Sequence, residues 1–239
     1  MDATIKEIRE EDYITANRIA VTWPSDRKNI YERKGLLYHK IKRLMDITLS
    51  AGALVVLSPV FLVTAVMIKL EDGGTVLYTQ KRIGKYKKEF KIYKFRSMCR
   101  NAEEIHESLR AEYGCQDVSF KLQEDPRITK VGRIIRKFNI DELPQLINIL
   151  KGDMSLVGPR PLPNYECEEE QKRYGDRYIE RYSVPQGLTC IWQISDRASV
   201  EFEDRMQMDV EYAHKRGLLM DCKLIVKTLV FTVTGRAAY

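Results

Sequence analysis

The chain has 239 residues, 44% of them hydrophobic and 31% charged, and a formal net charge of +6. That length buries a full core and suits one domain with small attachments, and the positive balance favours an anionic partner such as phosphate, nucleic acid or a lipid headgroup. Five cysteines (Cys99, Cys115, Cys167, Cys190, Cys222) form no CxxC pair and three histidines (His39, His106, His214) are scattered, which argues against a disulfide framework and a zinc enzyme.

Residues 1–39 read as a polar N-terminal extension with a turn signal at Trp23-Pro24. They lack the apolar segment of a signal peptide, and the sequence assigns them no function. The run ITLSAGALVVLSPVFLVTAVMI, from Ile47 to Ile68, holds 22 residues without a charge. Spanning a bilayer takes roughly 20 apolar residues, so the run is a membrane candidate. Ser58-Pro59 interrupts it near its middle, where proline removes an N–H and kinks or breaks a helix. Lys40, Lys42 and Arg43 precede the run and Lys69, Lys81 and Arg82 follow it, so the positive-inside rule favours one side for both flanks. The economical expectation is a re-entrant helix–break–helix over residues 40–72. A kinked bitopic helix and a buried core helix are the alternatives. Asp46, at the start of the run, is expected to pair with a neighbouring Lys or Arg.

Residues 75–98, TVLYTQKRIGKYKKEFKIYKFRSM, predict a β-hairpin that turns at IGKYKKE. Strand alternation places Lys94 and Arg96 on one face and Phe95 on the other, and two such cations suit a diphosphate. The plainer alternative is a solvated basic strand pair. Aromatics among the basic residues also fit nucleic acid, but the adjacent membrane segment weighs against it.

The stretch NIDELPQLINILKGDMSLVGPRP, from Asn139 to Pro161, places two acids before an apolar helical pattern. Asn139 reads as an N-cap, Glu142 as the third residue of a capping box, and Leu143, Leu146, Ile147 and Leu150 as a helix face ending at Gly152. The chemical alternative uses the same residues. Asp141 and Glu142 repel each other unless a cation intervenes, Mg2+ takes oxygen ligands and phosphates, and a carboxylate can attack phosphorus. Arg136 and Arg160 lie on either side, suited to forked phosphate contacts. Residues 217–234, GLLMDCKLIVKTLVFTVT, are too charged to span comfortably and fit an interfacial helix or a core helix equally well.

SPV after an apolar run, FKIYKFRSM, IDELPQLINILKGDMSLVGPRP and GLTCIWQ together strongly resemble the bacterial sugar transferases that are monotopic phosphoglycosyl transferases. The resemblance covers roughly residues 40–230. It implies an α/β (α+β) enzyme with a re-entrant helix broken at Ser58 and Pro59, a catalytic region over 73–239, and interfacial amphipathic helices. It implies transfer of a sugar 1-phosphate from a UDP-sugar to polyprenyl (undecaprenyl) phosphate, with Mg2+, at the cytoplasmic face of a bacterial inner membrane. By resemblance Asp141 is the nucleophile, Glu142 its partner on Mg2+ or on protons, and Asp209 a further family acid. Lys94, Arg96, Arg136, the Pro159-Arg160-Pro161 turn and Arg197 are then the phosphate and nucleotide groups. Membrane lipids are the expected surroundings, nucleic acid is not expected, and a homo-oligomer is left open. Cys190 stands where the family often has glycine, and Asp196 where it often has glycine before the arginine, so crowding of a tight turn and altered phosphate binding are the expected departures. The chain looks like the compact form without a multi-span N-terminal domain. A non-catalytic membrane-surface scaffold and a glycosyltransferase forming a glycosidic bond are the rival functions; the absence of a DxD triplet speaks against the second.

Overall fold

The computed structural model describes residues 34–102, 104–105, 125–194 and 200–234. The N-terminal turn signal, His106, Cys115, Asp196 and Arg197 lie outside the described residues.

The apolar run forms two helices, α1 (Gly35–Val56) and α2 (Ser58–Asp72), bent by 60° across Leu57. Pro59 sits in the first turn of α2, where its missing N–H costs no helical hydrogen bond. The Ser58 hydroxyl donates to the Val55 carbonyl at 2.8 Å, satisfying an acceptor at the break. Among the described residues no single helix is long and apolar enough to cross a membrane; the bent pair together has the length and composition. Its outer face is apolar and open, with Val55, Val56 and Leu70 each 74–80% exposed.

The inner face of α1 is polar and carries the long-range ties. The expected Lys or Arg pair of Asp46 is not formed: Asp46 accepts from the Leu156 N–H at 3.0 Å and the Ser155 hydroxyl at 3.1 Å, and Lys42 acts on it only through its charge. Lys42 itself reaches Asp221 at 2.9 Å, and both are buried. Arg43 donates to the carbonyls of Ile149 and Leu150 at 2.5 and 2.7 Å. Those carbonyls lie in the last turn of a later helix, where a cation complements the helix dipole.

The predicted hairpin is present as β1 (Leu77–Ile83) and β2 (Glu89–Phe95), antiparallel with Tyr78 opposite Lys94 and Leu77 opposite Phe95. Its turn uses left-handed backbone at Tyr86 and Lys87. Phe95 packs with Ile68, Val131 and Ile135, joining β2 to α2 and to α3 (Lys130–Lys137). Glu71 of α2 caps α3 by accepting from the Lys130 N–H at 2.8 Å. A Cβ on Gly132 would stand 2.0 Å from the Ser97 carbonyl oxygen, so only glycine lets α3 lie this close to the end of the hairpin.

A 3-10 turn (Ile140–Glu142) leads into α4 (Gln145–Lys151), which ends at Gly152 in the left-handed conformation. The capping box is not formed: Asn139 has φ 51°, makes no side-chain cap, and instead turns the chain between α3 and the 3-10 turn. Helix α4 starts after Pro144, five residues later than the capping reading placed it. Asn148 of α4 then plays the part of a missing strand. Its Oδ1 accepts from the Tyr93 N–H at 3.0 Å and its Nδ2 donates to the Lys91 carbonyl at 2.7 Å, docking α4 on the free edge of β2.

A second sheet pairs β3 (Met154–Val157) with β4 (Gln186–Thr189) in parallel. The crossover between them contains α5 (Asn164–Tyr174) and a 3-10 turn (Ile179–Ser183). Helices α6 (Phe202–Lys215) and α7 (Leu218–Val233) close the described chain. Helix α7 has two faces: Leu224 joins the core of Val157, Val184, Tyr212 and Ala213, whereas Leu219, Val226, Leu229 and Val230 are exposed. Mixed helices and small sheets agree with the α/β expectation, and Cys99, Cys167, Cys190 and Cys222 are all free thiols.

Candidate active site

Asp141 and Glu142 sit in the 3-10 turn between α3 and α4, facing the C-terminal end of β2 and the turn after β3. Their surroundings separate them. Glu142 Oε1 accepts from Lys94 Nζ at 3.0 Å and from Arg160 Nη2 at 2.7 Å, and Oε2 has only a 3.5 Å contact with Arg160 Nη1. Burial works against its charge, but Arg160 and Lys94 outweigh it and hold the carboxyl well below the usual range. Asp141 accepts no hydrogen bond from any described residue. Burial, followed by the charge of Glu142, pushes its carboxyl up to about 6, against the pull of Lys94, Arg136 and Arg160. One acid is therefore clamped by cations that favour its charged form. The other is open and ionised at neutral pH.

The sequence-predicted groups divide accordingly. Lys94 and Arg160 touch the dyad, and Arg136 acts on Asp141 while its Nε donates to the Ser97 hydroxyl at 2.9 Å. Arg96 is not brought to the dyad. Its guanidinium forks onto the Asp72 carboxylate and donates to the Thr75 carbonyl at 2.6 Å, tying the end of α2 to β2. Alternation does separate Lys94 and Arg96 from Phe95, but Asp72, not a diphosphate, is what Arg96 holds. Asp209 lies behind the site, 1% exposed, and pairs with the fully buried Arg181 at 2.7 Å. Burial raises its carboxyl to about 6 in spite of Arg181.

Two further basic residues lie near the dyad, Arg82, which the sequence offered only as a flanking and hairpin cation, and Arg181, which it did not single out. Arg82 of β1 senses both Arg160 and Glu142, and burial lowers its affinity for protons. Arg181 donates from Nη2 to the Arg160 carbonyl at 2.7 Å. Arg181 stands in no recognisable local pattern. Cys190 does not strain its turn: it is fully buried, has no positive φ, and donates to Gln193 Oε1 at 3.1 Å.

The donor set suits a magnesium ion in one respect. Among the described residues no group of three or more His, Cys, Asp or Glu could hold a metal alone. Two carboxylates, one of them without a hydrogen bond, match an ion that keeps waters and takes substrate phosphate oxygens.

An open carboxylate beside Lys94, Arg136 and Arg160 is chemically suited to phosphates. The family model described as bacterial sugar transferase matches residues 37–235. The chain belongs to the bacterial sugar transferase family. Its relatives include the exopolysaccharide production protein ExoY of Sinorhizobium fredii, 41% identical over 204 residues that cover 83% of this chain and 88% of the relative. The undecaprenyl-phosphate galactose phosphotransferase of Salmonella typhimurium is 40% identical over 83% of this chain and 42% of its own length. The UDP-N-acetylgalactosamine-undecaprenyl-phosphate N-acetylgalactosaminephosphotransferase of Aeromonas hydrophila is 39% identical over 84% of this chain and 46% of its own length. This bacterial sugar transferase thus spans most of the first relative and less than half of the other two. As a member of the family it is a transferase, and the dyad, Lys94, Arg136 and Arg160 all fall within the matched residues.

Proposed function

We propose that this transferase moves a sugar 1-phosphate from a UDP-sugar to a polyprenyl phosphate through a covalent intermediate on Asp141, so priming the assembly of a surface glycan. The observation that carries this reading is the asymmetry of the dyad. A nucleophile needs a lone pair free of hydrogen bonds and an ionised form at working pH, and Asp141 has both. In the first displacement an Asp141 oxygen attacks the sugar-bearing phosphorus, a carboxyl O–P bond forms, the bridging P–O bond breaks, and UMP leaves with that electron pair. In the second an oxygen of the polyprenyl phosphate attacks the same phosphorus, the carboxyl O–P bond breaks, and Asp141 is regenerated as carboxylate. Neither step requires a net proton.

Glu142 keeps Lys94 and Arg160 from closing onto Asp141 while holding both cations where phosphate oxygens arrive. Arg136 adds charge from the α3 side. Such fixed cations stabilise charge shared among phosphate oxygens without reorganising as the reaction proceeds. When bound by Asp141 and Glu142, Mg2+ would neutralise further phosphate charge.

The bent helix pair supports a re-entrant anchor. Each arm is apolar on its outer face, the break satisfies its own backbone through Ser58, and basic residues stand at both ends. An anchor that enters and leaves by one face would keep the dyad at the cytoplasmic surface, where a lipid phosphate and a soluble sugar nucleotide meet. Cysteines placed at positions 40 and 72 label from the same side in this arrangement; labelling from opposite sides would refute it. UMP release with a polyprenyl phosphate acceptor tests the chemistry, and the Asp141→Asn variant is expected to release none above background. Wild-type release by that variant would remove Asp141 from the mechanism.

A further inference from the structure

The Pro159-Arg160-Pro161 turn is held in an unusual way. Two of its residues have no N–H, so its carbonyls carry the hydrogen bonding. Each of four successive carbonyls has its own donor. Pro159 O accepts from the Gly187 N–H at 2.8 Å, Arg160 O from Arg181 Nη2 at 2.7 Å, Pro161 O from Arg82 Nη1 at 3.2 Å and Leu162 O from the Ile83 N–H at 2.9 Å. The turn is also pressed against β4: a Cβ on Gly158 would meet the Pro185 carbonyl oxygen at 2.3 Å. Of the four donors, only Arg82 and Arg181 are side chains.

Arg181 is the more deeply held. It is 0% exposed, as are Ser183 and Gln186 nearby. Its Nη2 also donates to Asp209 Oδ2 at 2.7 Å, and its Nε to the same oxygen at 3.3 Å. Its guanidinium lies 4.7 Å from the centre of the Tyr182 ring, and Tyr182 in turn donates to the buried Glu170. Gln186 Nε2 donates to the Arg181 carbonyl at 3.2 Å. A charged pair taken this far out of water is poor at stabilising a fold, since desolvation offsets the attraction. What the pair does supply is a fixed donor on the backbone of Arg160, one of the two residues whose side chains clamp Glu142.

We propose that Arg181, held by Asp209, is a positioning residue for the transfer, setting the turn so that the Arg160 side chain meets Glu142 and the incoming phosphates. This rests on the phosphoglycosyl transfer proposed above. Arg181 touches neither the dyad nor the substrate position. Its influence runs through Arg160, whose forked contact with Glu142 at 2.7 and 3.5 Å leaves little tolerance for movement of the turn. Asp209 has the same role one step removed, which accounts for an acid set far behind the reacting groups.

The test is a double-mutant cycle on UMP release by the full-length protein in lipid nanodiscs, using Arg181→Lys and Arg160→Lys singly and together. Lysine keeps the charge at Arg181 but is shorter and lacks the planar fork that fixes Nη2 between the Arg160 carbonyl and Asp209. Arg181→Lys is expected to lower kcat/KM at least tenfold in the wild-type background and less than threefold when Arg160 is already lysine. Equal losses in both backgrounds would overturn the proposal, because a merely structural residue weakens both proteins alike. Where Arg181→Lys fails to fold, Asp209→Asn, which preserves shape, takes its place in the same cycle with the same criterion. Absence of UMP release from the wild-type protein itself would instead overturn the transfer reaction, so the two failures are distinct.

Discussion

Replacing Glu142 by glutamine tests the division of labour within the dyad. The carboxylate of Glu142 receives two charge-assisted hydrogen bonds, at 3.0 Å from Lys94 and 2.7 Å from Arg160. Hydrogen bonds to charged groups contribute about 1.5–3 kcal/mol each. With a neutral amide in that place, Lys94 and Arg160 turn to the nearest remaining anion, the open carboxylate of Asp141. Breaking even one such new contact before attack on phosphorus would add about 2 kcal/mol to the barrier, or roughly thirtyfold in rate. The same change moves the acid limb of the pH profile in a definite direction. Burial raises the Asp141 carboxyl first and the Glu142 charge second, to about 6 in the native protein. Glutamine removes the second effect and brings the cations closer, so proton affinity at Asp141 falls and the limb moves to lower pH. Activity requires the ionised form, so the native enzyme loses activity as pH falls through about 6, and Glu142→Gln keeps its smaller activity to lower pH. Steady-state UMP release between pH 5 and 8 reads both effects. A variant with the native plateau, or with its acid limb displaced upward, would refute the assignment of Glu142 as the acid that keeps the cations off Asp141.

Other perturbations separate site from scaffold. Arg96→Gln should leave the KM for the sugar nucleotide within about twofold while lowering the Tm, because Arg96 serves Asp72 and not the dyad; a tenfold rise in KM would return it to the phosphate site. Lys42→Met leaves Asp221 charged and buried without its partner, and should destabilise the protein by about 3–5 kcal/mol in denaturant unfolding. Gly132→Ala should prevent normal folding or lower the Tm sharply, since its Cβ would overlap the Ser97 carbonyl; an unchanged melting curve would mean that α3 does not press on the hairpin end as described.

The features legible in the sequence are those with local causes. The break at Ser58-Pro59, the hairpin and the helix stop at Gly152 each follow from backbone chemistry within a few residues. The dyad was legible as a pair of adjacent acids, Arg136 and Arg160 as cations on either side of it, and Lys94 as a cation of the hairpin. The sequence could not show which acid the cations would hold, because that depends on contacts 48 and 18 residues away. The capping reading of Asn139 failed for a related reason: Pro144 and the left-handed Asn139 delay α4, leaving the acids in a tighter turn of their own. Strand alternation could not show the partner of Arg96, since Asp72 arrives from the end of α2. Arg181, Arg43 and Asn148 owe their importance to backbone groups far along the chain, a kind of pairing that leaves no mark in residue spacing.

The most direct test of a covalent transfer at Asp141 is the intact mass of the protein after brief incubation with Mg2+ and a panel of UDP-sugars, without lipid acceptor. The account predicts a gain of one sugar phosphate with a donor in the panel, lost on adding polyprenyl phosphate and absent from Asp141→Asn. An adduct of the same mass on Asp141→Asn, or steady turnover to the lipid product with no adduct at any time on the native protein, would contradict it.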